Sequence, residues 1–100
     1  MKTTITEKDG LLVVALSGGF DTVASNQAER DLAPVFERND CDVEIDCSDT
    51  MYISSSGLRL LLEILKNAKA HGHHVYLKGI SNNIREAFVL TGFINLFEYI

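Results

Sequence analysis

The sequence is short of the residues that several function classes need. Only two of its 100 residues are cysteine, Cys41 and Cys47. Both fall on or beside one expected strand. At about 3.3 Å per residue their Cα atoms would stand about 20 Å apart, whereas a disulfide needs under about 7 Å. They are expected to be reduced, and no CxxC spacing points to metal or redox chemistry. Basic residues are also few: nine Lys and Arg against 14 Asp and Glu, a net charge of −5. No basic stripe offers itself to a phosphate backbone, so nucleic acid is not an expected partner. No apolar run approaches the roughly 20 residues that span a bilayer, which argues against direct membrane insertion. The stretch Met1-Lys2-Thr3-Thr4-Ile5 has no apolar h-region, so the expected address is the cytoplasm. There is no P-loop, no zinc spacing and no Ser/His/Asp arrangement. Neither an enzyme nor a cofactor is expected.

What is present is an ordinary globular composition, 46% hydrophobic and 23% charged, in a length that suits one domain, residues 1–100. Thr3 to Lys8 alternates like an edge strand, and Asp9-Gly10 signals a hairpin. Leu11 to Leu16 is a continuous apolar run, which predicts a central strand covered on both faces. Ser17-Gly18-Gly19 is expected to end it. Asp21-Thr22 opens a helical pattern through Ala24, Ala28, Leu32, Val35 and Phe36. Pro34, the single proline, predicts a break near its end. Val43, Ile45 and Cys47 alternate with Asp42, Glu44 and Asp46 as the next strand. A second helix is expected from about Ser56 to Ala70, with a core face of Leu58, Leu61, Leu62 and Leu65 and Gly72 just past its end. His74 to Gly79 reads as a strand. Ser81-Asn82-Asn83 caps a third helix that buries Ile84, Ala87, Phe88 and Leu90. Gly92 ends that helix, and Leu96 to Ile100 forms a last strand. The order β-β-α-β-α-β-α-β predicts an α/β fold. Its sheet is mixed but mostly parallel, of about five strands with helices packed on it.

The most informative stretch is Ile53-Ser54-Ser55-Ser56-Gly57-Leu58. Three hydroxyls and a glycine sit where the chain enters a helix. A helix start exposes unpaired N–H groups and the positive end of the macrodipole. One reading makes the serines a cap. The other makes them a site that carries a phosphate. Asp21 has the same two readings: a cap for the first helix, or part of a partner-binding face with Thr22 and Val23. His71, His73 and His74 suggest a metal. Residues 73 and 74 on a strand point to opposite faces, however, so the three do not converge. Asp46 and Asp49 are expected to satisfy loop backbone as Asx turns.

Gly19-Phe20-Asp21, the strand ending near Asp46, Tyr52-Ile53-Ser54-Ser55-Ser56-Gly57-Leu58, and Thr91-Gly92-Phe93 together resemble a STAS domain. That is the fold of bacterial anti-sigma-factor antagonists and of the cytoplasmic tails of sulphate transporters. The likeness covers essentially the whole chain. In the antagonist branch the central motif is usually Asp-Ser-Ser/Thr-Gly-Leu, and the first serine after the aspartate is phosphorylated. The resemblance therefore implies Ser55 as phosphoacceptor, ahead of Ser56 and Ser54; the cap is then expected from Ser56 or, failing it, Ser54. It implies a partner-binding set of Asp21, Thr22, Ser54, Ser55, Ser56 and Gly57. The implied partners are an anti-sigma serine/threonine kinase and a PP2C-type phosphatase. Ser54 stands where the family usually has aspartate. That departure favours an alternative, an interaction subunit unrelated to sigma factors, such as the partner of a lipid-transport ATPase or a signalling scaffold. A small enzyme with a serine nucleophile is a third reading, and it lacks a visible base.

Overall fold

Asp9 and Gly10 take φ values of 52° and 78°, the two left-handed positions of a tight hairpin turn. They join β1 (Lys2–Lys8) to β2 (Leu11–Phe20), which pair antiparallel in register from Lys2↔Ser17 to Lys8↔Leu11. The computed structural model describes residues 2–38 and 40–100. After β2 come α1 (Thr22–Asp31), the short α2 (Ala33–Glu37), β3 (Asp42–Asp46), β4 (Thr50–Ile53) and α3 (Ser55–Ala70). The chain then forms β5 (Val75–Lys78), α4 (Asn82–Thr91), a 3₁₀ turn at Phe93–Asn95, and β6 (Glu98–Tyr99). The main sheet runs β1-β2-β3-β5-β6, and every pairing beyond the first hairpin is parallel.

Two sequence expectations fail at β2. The strand does not stop at Ser17-Gly18-Gly19 but continues to Phe20. Gly18, at φ 102°, absorbs a register shift against β4 between Gly18 and Gly19. Nor is the strand covered on both faces. Leu12, Val14 and Leu16 are buried, while Val13 and Ala15 are only half-buried. They lie beside Glu44 and Asp46 of β3 on the open face. A continuous apolar run does not distinguish these cases. The neighbouring strand does, because β3 alternates Val43 and Ile45 inward with acids outward.

β4 was not expected from the sequence. It resumes along β2 where β3 leaves off, pairing Gly18↔Thr50 and Phe20↔Ile53 in parallel. The break between β3 and β4 is bridged by the buried Thr50 hydroxyl, which donates to the Leu16 carbonyl at 2.7 Å. Asp46 makes the expected Asx turn, accepting from the Ser48 N–H at 2.9 Å and the Ser48 hydroxyl at 2.6 Å. Those two hydrogen bonds, hydroxyl first, hold its carboxyl below the usual range.

The core lies between the sheet and the helices. α3 contributes Leu58, Leu60, Leu61, Ile64, Leu65 and Ala68 at helical spacing, with Leu62 partly buried against them. Pro34 opens α2 at its first turn, so the expected break falls at Leu32, between α1 and α2. In α4, Ile84 and Phe88 are buried, but Leu90 is 78% exposed. It belongs to the outer face of its helix, a correction to the expected core. The final strand is shorter than expected, and Phe97 beside it packs edge-to-face on Phe88 with centroids 5.4 Å apart. Cys41 and Cys47 are free and buried. Burial pushes the Cys47 thiol up to about 11. The three histidines do not converge: His71 meets the Asn67 carbonyl, His73 approaches Asp42, and His74 lies 2.8 Å from Glu98.

Candidate functional site

β2 and β4 end side by side, and a helix starts from each. Phe20 pairs with Ile53, and the next residue on each strand is a cap. Asp21 caps α1, its carboxylate accepting from the Ala24 N–H at 2.7 Å. Ser54 caps α3, its hydroxyl accepting from the Gly57 N–H at 3.1 Å. The Ser54 N–H in turn donates to the Phe20 carbonyl at 2.7 Å, so the parallel pairing runs directly into the helix start. Two positive helix ends therefore face the same edge of the molecule.

The cap is Ser54, not Ser56. Ser54 has extended backbone (φ −83°, ψ 169°), the conformation of a cap residue. Ser55 and Ser56 already have helical positions, the first and second of α3. The hydroxyls thus divide. Ser54 is half-buried and occupied by the cap, Ser55 is exposed, and Ser56 is half-buried toward α1. The Ser56 side lines a small cleft of about 160 Å³ with Ser25, Asn26, Glu29 and Arg59. Gly57 is buried, with no side chain to offer a partner. A Cβ there would come within 2.9 Å of both Ile53 Cγ1 and the Phe20 ring. Its role is to let α3 close onto the end of β2.

Ser55 opens onto a larger cleft of about 440 Å³ between α3 and the end of α4, lined also by Leu58, Arg59, Leu62, Glu63, Lys66, Thr91 and Phe93. Two sequence motifs far apart in the chain, the serine triplet and Thr91-Gly92-Phe93, meet in this cleft. Large apolar side chains are exposed on the neighbouring elements: Met51 and Tyr52 of β4 are 67% and 50% exposed, and Val89 and Leu90 of α4 are 52% and 78% exposed. β4 packs against α4. Val23 lies exposed on the first turn of α1, beside Asp21 and Thr22, which are exposed as well.

Sequence reasoning brought Asp21, Thr22 and the serine triplet to one edge, as the fold does. It missed Arg59 and the exposed apolar residues of β4 and α4. Leu90 had been counted as core, and Met51-Tyr52 carried no periodic signal.

A family model described as STAS domain matches residues 2–99. A Bordetella bronchiseptica protein bearing the name anti-sigma factor antagonist BtrV is 31% identical over 97 residues, covering 97% of this chain and 84% of that protein. The anti-sigma-B factor antagonist of Staphylococcus epidermidis is 29% identical over 93 residues, covering 93% and 85%. Among solved structures, an anti-sigma factor antagonist from Mycobacterium paratuberculosis superimposes with a TM-score of 0.83 at 26% identity, covering 98% of this chain and 83% of that one.

Proposed function

The chain belongs to the STAS domain family, a non-catalytic family in its anti-sigma branch, and on that premise we propose that it is an anti-sigma-factor antagonist switched by phosphorylation of Ser55. In this reading the unmodified domain docks on an anti-sigma serine kinase through the edge that carries Asp21, Thr22 and the serine triplet. Docking sequesters the kinase and frees a sigma factor. The kinase then transfers the γ-phosphoryl group of ATP to the Ser55 oxygen, ADP leaves, and the hydroxyl proton goes to the kinase's base. The complex dissociates, and a PP2C-type phosphatase resets the site by hydrolysis. Soluble partners fit a domain in which, among the described residues, no helix is long and apolar enough to cross a membrane.

The observation that carries this reading is the division of labour among the three serines. Ser54 is occupied as the cap, while Ser55 stands exposed on the first turn with its hydroxyl uncommitted to the cap. A phosphate adds about −1.5 to −2 charge at pH 7, and a helix start accommodates such a charge without refolding. The effect falls on the docking surface.

Ser54 in place of the family's usual aspartate favours the second reading, a STAS interaction subunit unrelated to sigma factors. The cap itself survives the exchange, because serine and aspartate cap helices about equally well. What is lost is a carboxylate beside the acceptor. The deciding experiment incubates the chain with ATP and each histidine-kinase-like ATPase of the same genome, then reads intact mass and maps the modified peptide. One phosphate on Ser55 is the expected result. No modification of any of the three serines by any such kinase overturns the switch and transfers the case to the interaction subunit.

A further inference from the structure

We propose that Arg59 is the intramolecular clamp of the Ser55 phosphate, so that modification adds an anion and at the same time removes a cation from the docking face. The inference rests on Ser55 being the phosphoacceptor. Arg59 follows Ser55 by four residues on α3, which puts the two on one helix face with Cβ atoms about 6 Å apart. Both line the 440 Å³ cleft, and Arg59 also lines the smaller cleft beside Ser56. Arg59 is exposed, and the ion pairs formed among the described residues, by Arg38, His73 and His74, do not involve it. Its guanidinium is therefore uncommitted in the unmodified protein. The rival anions are Glu63, four residues on and lining both clefts, and Glu29 of α1, lining the smaller one, each a single charge against the two of a phosphate.

An arginine at this spacing suits a phosphate better than a lysine does. Its planar fork donates two parallel hydrogen bonds to phosphate oxygens. Lys66 lines the same cleft but stands about 16 Å further along the helix axis, beyond reach of Ser55. In the unmodified domain Arg59 is an exposed cation that forms no ion pair among the described residues. Once clamped it is neutralised and folded back over the start of α3. A partner carboxylate that pairs with Arg59 in the unmodified complex then loses its counter-ion.

The test places phosphoserine at position 55 during synthesis by suppressor tRNA, so no kinase is involved. Phosphorus NMR follows the second ionisation of the phosphate, near pH 6 in an exposed phosphoserine, in the parent and in Arg59→Gln, Arg59→Lys and Lys66→Gln. The helix start acts alike on all four, so their differences isolate the side chains. The parent is expected to ionise at least about half a pH unit below Arg59→Gln at low salt. Arg59→Lys should fall between them, and Lys66→Gln should match the parent. The Arg59 Nε–H resonance should shift on phosphorylation in the parent and in Lys66→Gln alike. Identical titrations of parent and Arg59→Gln, or an unmoved Nε–H signal, overturn the clamp and leave the switch reading standing. Conversely, a chain that no kinase modifies overturns the switch while the clamp chemistry is still read directly.

Discussion

Gly57 on α3 lies against Phe20 at the end of β2 so closely that a Cβ on the glycine would stand 2.9 Å from the ring. Phe20 is fully buried and has nowhere to move. The helix that carries the serines is therefore seated on the strand by the absence of one methyl group.

Gly57→Ala is expected to destabilise the domain. Alanine gains up to about 1 kcal/mol in helix propensity, but overpacking costs about 1–3 kcal/mol, so the net should be a loss of up to about 2–3 kcal/mol. Denaturant melts measure it. Gly19→Ala is the contrast. Its Cβ would meet the Tyr52 ring, but Tyr52 is half-exposed and can swing aside, so its melt should barely shift. Equal losses at both positions would refute the packing argument.

Ser54 and its cap can be separated from its charge. Ser54→Ala should cost about 0.5–2 kcal/mol by releasing the Gly57 N–H. Ser54→Asp keeps the cap and adds a carboxylate at the positive helix end, worth about 0.3–1 kcal/mol. If the family's aspartate orients the acceptor hydroxyl or its kinase, Ser54→Asp should also raise the rate at which one kinase phosphorylates Ser55. Thermal melts and phosphorylation kinetics on the same three proteins read the two effects apart.

Ser55 should be dispensable to the fold. Ser55→Ala is expected to abolish phosphorylation and leave binding of the anti-sigma partner largely intact. Ser55→Asp should weaken that binding, with both melting temperatures within a few degrees of the parent, a shift of under about 1 kcal/mol. A sharp drop in the melting temperature of Ser55→Asp would make the position a packed structural one.

The Asp46 turn predicts a pH effect of definite sign. Its carboxyl is held low in the folded state by the Ser48 hydroxyl and then by the Ser48 N–H. Its contribution to stability is thus present above the unfolded carboxylate pKa of about 3.9 and is lost as pH falls through the lower folded value. Ser48→Ala removes the first of the two hydrogen bonds. The Asp46 titration, followed by carbon NMR, should move upward in that variant while other carboxylates stay put. The stability that Asp46 contributes should then be smaller, with its loss still beginning near the unfolded value and complete at a higher pH.

The elements readable in the sequence were those announced by local chemistry. Asp9-Gly10 turns, Val43-Ile45-Cys47 alternates, Pro34 breaks, Ser81 caps and Gly92 ends a helix, as expected from residues that act on their immediate neighbours. The failures were non-local. Ser17-Gly18-Gly19 looks like punctuation, yet β1 pairs with Ser17 and β4 with Gly18 and Gly19, holding all three in strand. β4 has four residues and no periodic signal, and it exists because β2 offers it a free stretch of edge. Ser56 looked the better cap because the helix was expected one residue late. Arg59, which lines the cleft, and the exposed Leu90 belong to helices whose inner faces had drawn the attention.

The passage from β3 to β4 has a kinetic meaning. β3 pairs with Leu11–Ala15 between β2 and β5, whereas β4 pairs only with Gly18–Phe20 beyond a bulge. The amides that close this second stretch, Gly18 donating to Asp49 and Ser54 donating to Phe20, are expected to open as a unit separate from the main sheet. They can open and exchange with solvent deuterium while the main sheet stays shut.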